Sequence, residues 1–254
     1  ERRRAALRRP VFLTPFRPPR GDASGAVVSK LLEAVARLLL NSHGSIFAEV
    51  ESRVDLLARG GLGSVILGGL DWRTPLSLSA RELQVWTTEE SRIDYGALLQ
   101  GKLRLQSPTS CRTDILFDTA DFGNFLVYPT VDRMARMACP YFRFTQEGII
   151  IDVAARTVQL RGCYRDRPVA VALAWPAGQD QPVVRVADGV EAEEVEGLER
   201  RLTDFFRILT IDLAGLVLRL ASVSFVKQAG GSPAVLLRLE GKVVRIPDPF
   251  RDAI

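Results

Sequence analysis

Three carboxylates fall within eight residues in "DILFDTADFGNFL", Asp114 to Leu126: Asp114, Asp118 and Asp121. Acids this close are the raw material of an oxygen-ligand metal site or an acid/base pair, provided their side chains converge. Local structure decides that. Asp114 sits on a strand-like run whose other face is Cys111, Thr113, Ile115 and Phe117, so it points outward with Arg112. Asp118 has the type and place of a helix N-cap, and Asp121 falls at N3, the spacing of a capping box with Asp in place of Glu or Gln. Phe122, Phe125 and Leu126 follow at i, i+3 and i+4, one apolar stripe facing a sheet. A strand face and a helix cap do not aim at one point. The helix-start reading therefore leads, and the site reading stays as the alternative.

Other reactive residues are sparse. The three cysteines, Cys111, Cys139 and Cys163, are odd in number and far apart, with no CxxC pair, which suggests neither a disulfide framework nor a thiolate zinc site. The single histidine, His43, lies in the turn-like "NSHGS" and leaves no His-rich metal site and no ready Ser-His-Asp or Cys-His arrangement. Gly60, Gly61 and Gly63 complete neither GxGxxG nor GxxxxGK[ST], so they read as a hairpin turn. No catalytic residue, metal site or cofactor is expected.

Several elements position these residues. "AVVSKLLEAVARLLL" places Val28, Leu31, Leu32, Val35, Leu38 and Leu39 at helical spacing, with Lys30, Glu33 and Arg37 opposite. "IFAEVESRVDL" alternates as a half-buried strand. A second helical patch runs from Asp118 to about Cys139, interrupted near Pro129, and a third helix lies in "DGVEAEEVEGLERRLTDFFRIL" with Val195, Leu198, Leu202, Phe205, Phe206 and Leu209 in its buried stripe. "VAVALAW" is apolar on both faces. "ILTIDLAGLVLRLASVSFV", Ile208 to Val226, is long enough to cross a membrane, but Asp212 and Arg219 would each cost roughly 2.5–3.5 kcal/mol near a helix centre, so it reads as one long strand buried on both faces.

Roughly nine strands in sequential hairpins, interleaved with three helical segments, give an α+β fold. With so many two-faced apolar strands, the expected sheet is mainly antiparallel and strongly curved, a half-pipe or tube closing on something greasy. The chain carries a net charge of +4, yet residues 1–20 hold Arg2, Arg3, Arg4, Arg8, Arg9, Arg17 and Arg20 against one Glu, which is +6. The rest therefore sums to −2. Basicity confined to an arm argues against a nucleic-acid-binding body. Residues 1–23 read as a basic Pro/Arg-rich extension, 24–247 as one α+β domain and 248–254 as a tail.

The succession "SKLLEAVARLLL", "FAEVESRVDLLARGGLGSVILGG" and "GALLQGKLRLQSPTSCRTDILFDTADFGNFL" resembles the LmeA-like phospholipid-binding family. The likeness is carried by Gly101-Lys102, Pro108, and the helix start Asp118, Asp121, Phe122, Asn124 and Leu126, and extends to the closing "LTDFFRILTIDLAGLVLRL" and "LLRLEGKVVRIP". It implies a tubular or half-pipe lipid-binding fold without bond-making chemistry. Together with an Arg-rich start like the remainder of an organellar transit peptide, it implies a peripheral membrane protein of a plastid, associated with thylakoid or envelope. Phe122, Phe125, Leu126, Leu213 and Leu216 are the candidate lipid or partner contacts, the seven arginines of the arm the candidate membrane contacts, and a phospholipid or glycolipid the expected occupant. A structural or assembly subunit of a large membrane protein complex is the alternative.

Overall fold

The computed structural model describes residues 23–51, 58–94, 105–176, 181–213, 215–228 and 230–245. The basic arm, the Gly101-Lys102 pair and the C-terminal tail lie outside them. In chain order the elements are α1 (Ala23–Leu39), β1 (Ser45–Val50), β2 (Gly61–Leu62), β3 (Val65–Arg73), β4 (Ser79–Thr87), β5 (Ser91–Arg92), β6 (Thr109–Phe117), α2 (Thr119–Leu126) and α3 (Pro129–Ala138). They continue as β7 (Phe142–Phe144), β8 (Ile150–Asp152), β9 (Thr157–Tyr164), β10 (Arg167–Ala174), β11 (Val183–Asp188), α4 (Ala192–Ile208), β12 (Thr210–Leu213), β13 (Leu216–Lys227) and β14 (Pro233–Val243). The class is α+β, with strand pairs that are all antiparallel among the described residues.

A seven-stranded sheet runs β1-β3-β4-β6-β14-β13-β12, and a smaller one runs β11-β10-β9-β7 with β8 also paired to β9. Neither is strongly curled. The expected half-pipe is therefore not what encloses space here, and among the described residues the three expected helical segments form four helices, because Pro129 opens a new helix after the break at Val127–Tyr128. The expected single strand from Ile208 to Val226 is the end of α4 followed by a hairpin. Gly215, at φ +109°, turns the chain, and the Asp212 carboxylate accepts its N–H at 3.1 Å. In β10, Val169, Val171 and Leu173 are buried, but the alanine face is only half-buried, so this strand is covered fully on one side.

Cross-strand register sorts the faces of the large sheet. Leu83 opposes Ile115, which opposes Leu237; Val85 opposes Thr113, which opposes Leu239. This inner face meets α2, α3, α4 and the small sheet in the main core, where Phe117, Phe122, Phe142, Phe205 and Leu126 are among the largest fully buried side chains. Phe117 stacks on Phe125 at 5.3 Å and meets Phe122 edge-on at 6.2 Å.

Both sheets shield an edge in the same way. At β1, the N–H groups of Ala48 and Val50 donate to the Glu33 carboxylate (3.3 Å) and the Ser29 hydroxyl (3.0 Å) of α1. At β11, the N–H groups of Val184 and Val186 donate to Thr203 Oγ1 and Glu199 Oε1 of α4, both at 2.9 Å. Each helix thus presents a polar pair four residues apart to amides that would otherwise template another strand. The buried side chains of α1 accordingly include Ser29 and Glu33, beside Ala36.

Candidate ligand-binding site

The three carboxylates of the opening motif are placed as local structure demands. The Asp118 carboxylate accepts from the Asp121 N–H at 2.9 Å, and Asp121 accepts from the Asp118 N–H at 3.4 Å, a complete capping box. Asp114 lies on the opposite sheet face, with Arg238 as its neighbour at 3.7 Å. Among the described residues no group of three or more His, Cys, Asp and Glu is arranged to hold a metal. Burial pushes the Cys111 thiol up to about 11 and raises that of Cys139, so neither is held as a thiolate near neutral pH.

The sequence did not disclose what the acids are tied to. Arg81 of β4 donates to Asp118 at 2.6 Å and Asp71 at 3.0 Å and lies 3.7 Å from Asp121. The Ser79 hydroxyl donates to Asp121 at 2.5 Å and accepts from the Asn124 amide at 2.7 Å, and Asn124 in turn accepts from Gln146. Every buried polar group in this chain of contacts has a partner, so it acts as a clamp fixing α2 to the sheet. Gly123 belongs to the same clamp, since a Cβ there would lie 2.1 Å from the Gln146 carbonyl oxygen. Asp118→Ala is expected to cost about 1–2 kcal/mol of folding free energy by loss of the cap, with most of it retained in Asp118→Asn, as read by denaturant unfolding.

A second place has the shape of a binding site. Between α1 and the inner face of the large sheet lies a partly open cavity of ≈ 230 Å³. Leu32, Val35, Ala36 and Leu39 of α1 form one wall; Leu67, Leu83, Val85, Ile115 and Phe117 form the other; Leu213, Leu216 and Val243 lie at one end. α1 stands on the sheet edge through Ser29 and Glu33, and Leu32, with Val28, packs against Val50, Leu62 and Ile93 beside the cavity. The lining residues Val65 and Trp72 are seven positions apart on β3, about 23 Å at 3.3 Å per residue. The cavity is thus elongated along the strands.

Of the candidate contacts, Leu213 and Leu216 line this cavity, whereas Phe122, Phe125 and Leu126 are 2%, 2% and 0% exposed in the main core. The arginines of the arm lie outside the described residues. Sequence reasoning read the α1 leucines as the apolar side of an amphipathic helix and did not single them out as a site. The signal was the width of the apolar arc: Val27, Leu31 and Leu38 fall within about 40° of one another on a helical projection, beside Leu32, Val35 and Leu39. The first three are 71%, 49% and 62% exposed. No family model matches this chain, and none of the curated proteins or solved structures searched matches it. The resemblance to the LmeA-like family stands on the sequence pattern alone.

Proposed function

We propose that this protein is a non-enzymatic lipid-binding protein that works at a membrane surface and holds one apolar chain in the cavity beneath α1. The observation that carries this reading is a preformed cavity walled almost entirely by aliphatic and aromatic side chains. Its volume of ≈ 230 Å³ exceeds the roughly 150 Å³ apolar cavity that takes benzene and falls short of the roughly 300 Å³ at which drug-sized sites begin. That suits part of one acyl chain, not two. The lining of about 23 Å compares with about 15 Å for one leaflet, half of a ~30 Å hydrocarbon core.

The exposed stripe of Val27, Leu31 and Leu38 flanks the cavity wall. On this reading it rests at the headgroup–acyl boundary, as interfacial amphipathic helices do. The basic arm adds attraction for anionic headgroups, about 1 kcal/mol per Arg near a charged surface. Among the described residues no helix is long and apolar enough to cross a membrane. A plastid membrane is the proposed setting.

The test is native mass spectrometry of the purified protein together with flotation on vesicles containing anionic lipid. A co-purifying single-chain species and flotation are expected. The variant Ala36→Leu, which puts a larger side chain into the cavity wall, should bind at least tenfold more weakly while unfolding no earlier than the parent, because it fills space. No bound lipid and no flotation, with a stable protein partner captured instead, would favour the docking module of a membrane complex and overturn this reading.

A further inference from the structure

We propose that the Thr74 hydroxyl is the polar anchor of the cavity and selects a neutral single-chain amphiphile, headed by an ester or a hydroxyl, over a fatty-acid carboxylate. The inference rests on the reading of the cavity as a site for an apolar chain. Thr74 opens the hairpin loop between β3 and β4. Its backbone is satisfied: the N–H donates to the Leu78 carbonyl at 2.8 Å, and its own carbonyl accepts from Ser77 at 3.0 Å. Its side chain is not. The residue is 8% exposed, Oγ1 is buried without a hydrogen-bond partner, and Thr74 lines the cavity.

Two other hydroxyls in the lining, those of Ser79 and Thr87, already have partners. Ser79 serves Asp121 and Asn124, and Thr87 accepts the Val65 N–H at 2.9 Å. A buried hydroxyl without a partner bears its full desolvation cost, which a ligand oxygen in the cavity would recover. The surroundings decide what kind of oxygen. The lining residues that share the β3–β4 hairpin end with Thr74 are Trp72, Leu78, Ser79 and Ala80, none cationic. Behind Ser79 stand Asp121 and Asp118, and Arg81 is already shared among Asp71, Asp118 and Asp121. A carboxylate head would sit unpaired next to like charge, which is far costlier than seating a neutral oxygen.

The basic residue in the lining, Arg245, belongs to the opposite end. The Arg245 N–H donates to Gly215, and nearby Val243 pairs with Thr109, two residues from Cys111, the partner of Thr87. Thr87 is eight residues from Ser79 along β4, about 26 Å. A head seated at Thr74 therefore cannot reach it, and the tail runs toward Leu213 and Leu216.

The experiment uses the full chain and the neutral fluorophore N-phenyl-1-naphthylamine, displaced by 1-monolauroylglycerol or by laurate at pH 8. The monoester should displace at least tenfold more effectively than laurate. Thr74→Val should weaken the monoester about tenfold relative to dodecane measured in the same displacement assay, the loss of one hydrogen bond. Thr74→Ser should restore most of it. The unliganded Val variant should melt about 2–4 °C higher, since it no longer buries an unpaired hydroxyl. If the fluorophore binds but laurate matches the monoester, or Thr74→Val changes its affinity less than twofold, the anchor is overturned and the cavity reading survives. If no probe binds, both fall.

Discussion

Phe122→Ala is expected to destabilise the protein by about 3–5 kcal/mol, the usual cost of removing a fully buried aromatic side chain. Phe122 is 2% exposed and packs between Phe117 and Phe125 at 6.2 and 5.9 Å. It comes from α2, a helix of eight residues that cannot persist on propensity alone and depends on its buried face. The loss should therefore spread to the clamp that α2 carries. Chemical denaturation is the measurement, with near-ultraviolet circular dichroism reporting the aromatic cluster. A loss below about 1 kcal/mol, accompanied by loss of lipid binding, would instead mark Phe122 as the contact residue that its sequence position suggested.

Arg81→Met is the second large effect, and it depends on pH. Removing the guanidinium leaves Asp118 and Asp121 facing each other without their shared cation. Breaking a fully buried pair costs about 3–5 kcal/mol, but the Arg81 side chain is 39% exposed, so solvent screening brings the expected loss to about 2 kcal/mol near pH 7.5. Burial already holds the Asp121 carboxyl above the usual range, with the Ser79 hydrogen bond opposing and the Asp118 charge adding to the rise. A raised carboxyl means that the folded state holds the proton more tightly than the unfolded chain. Stability contributed by that proton is present at low pH and is lost as pH climbs from the ordinary carboxylate range through the raised value. Without Arg81 the rise is larger. The deficit of Arg81→Met should accordingly shrink on acidification toward pH 4 and be greatest at neutral pH. Unfolding free energies of parent and variant across pH 4–8 test this, and a deficit that grows on acidification overturns the assignment.

The same sign applies to Asp114 and Glu49, whose carboxyls burial also raises. It is reversed for Glu33, held below its usual range by the Lys30 hydrogen bond, against burial, and by the Ala48 amide. Glu33 thus contributes above its unfolded value and loses that contribution as pH falls. Because Glu33 also receives the edge amide of β1, acid should loosen α1 from the sheet, and with it one wall of the cavity.

What the sequence determined by itself is what nearby residues decide among themselves. The capping box lies within four residues, and its two hydrogen bonds need only the backbone between Asp118 and Asp121. The 3.6-residue period of α1 and α4 and the alternation in β1 are equally local, which is why these elements, the α+β class and the separation of Asp114 from the other two acids were legible. The long strand from Ile208 was misread because residues apolar on both faces gave it no phase, and Asp212, whose carboxylate accepts the Gly215 N–H at the turn, was weighed only as a cost of crossing a membrane. The rest needed contacts across the chain. Ser79 and Arg81 reach Asp121 and Asp118 over 42 and 37 positions, and Gly123 is explained only by the approach of Gln146. Above all, tertiary structure decided which apolar residues pack and which enclose space. Phe122, Phe125 and Leu126 are as apolar as Leu32, Val35 and Leu39, but the first three are closed into the main core while the second three line the cavity. Hydrophobicity says that a side chain leaves water, and only the distance between two surfaces says whether it meets another side chain or a cavity.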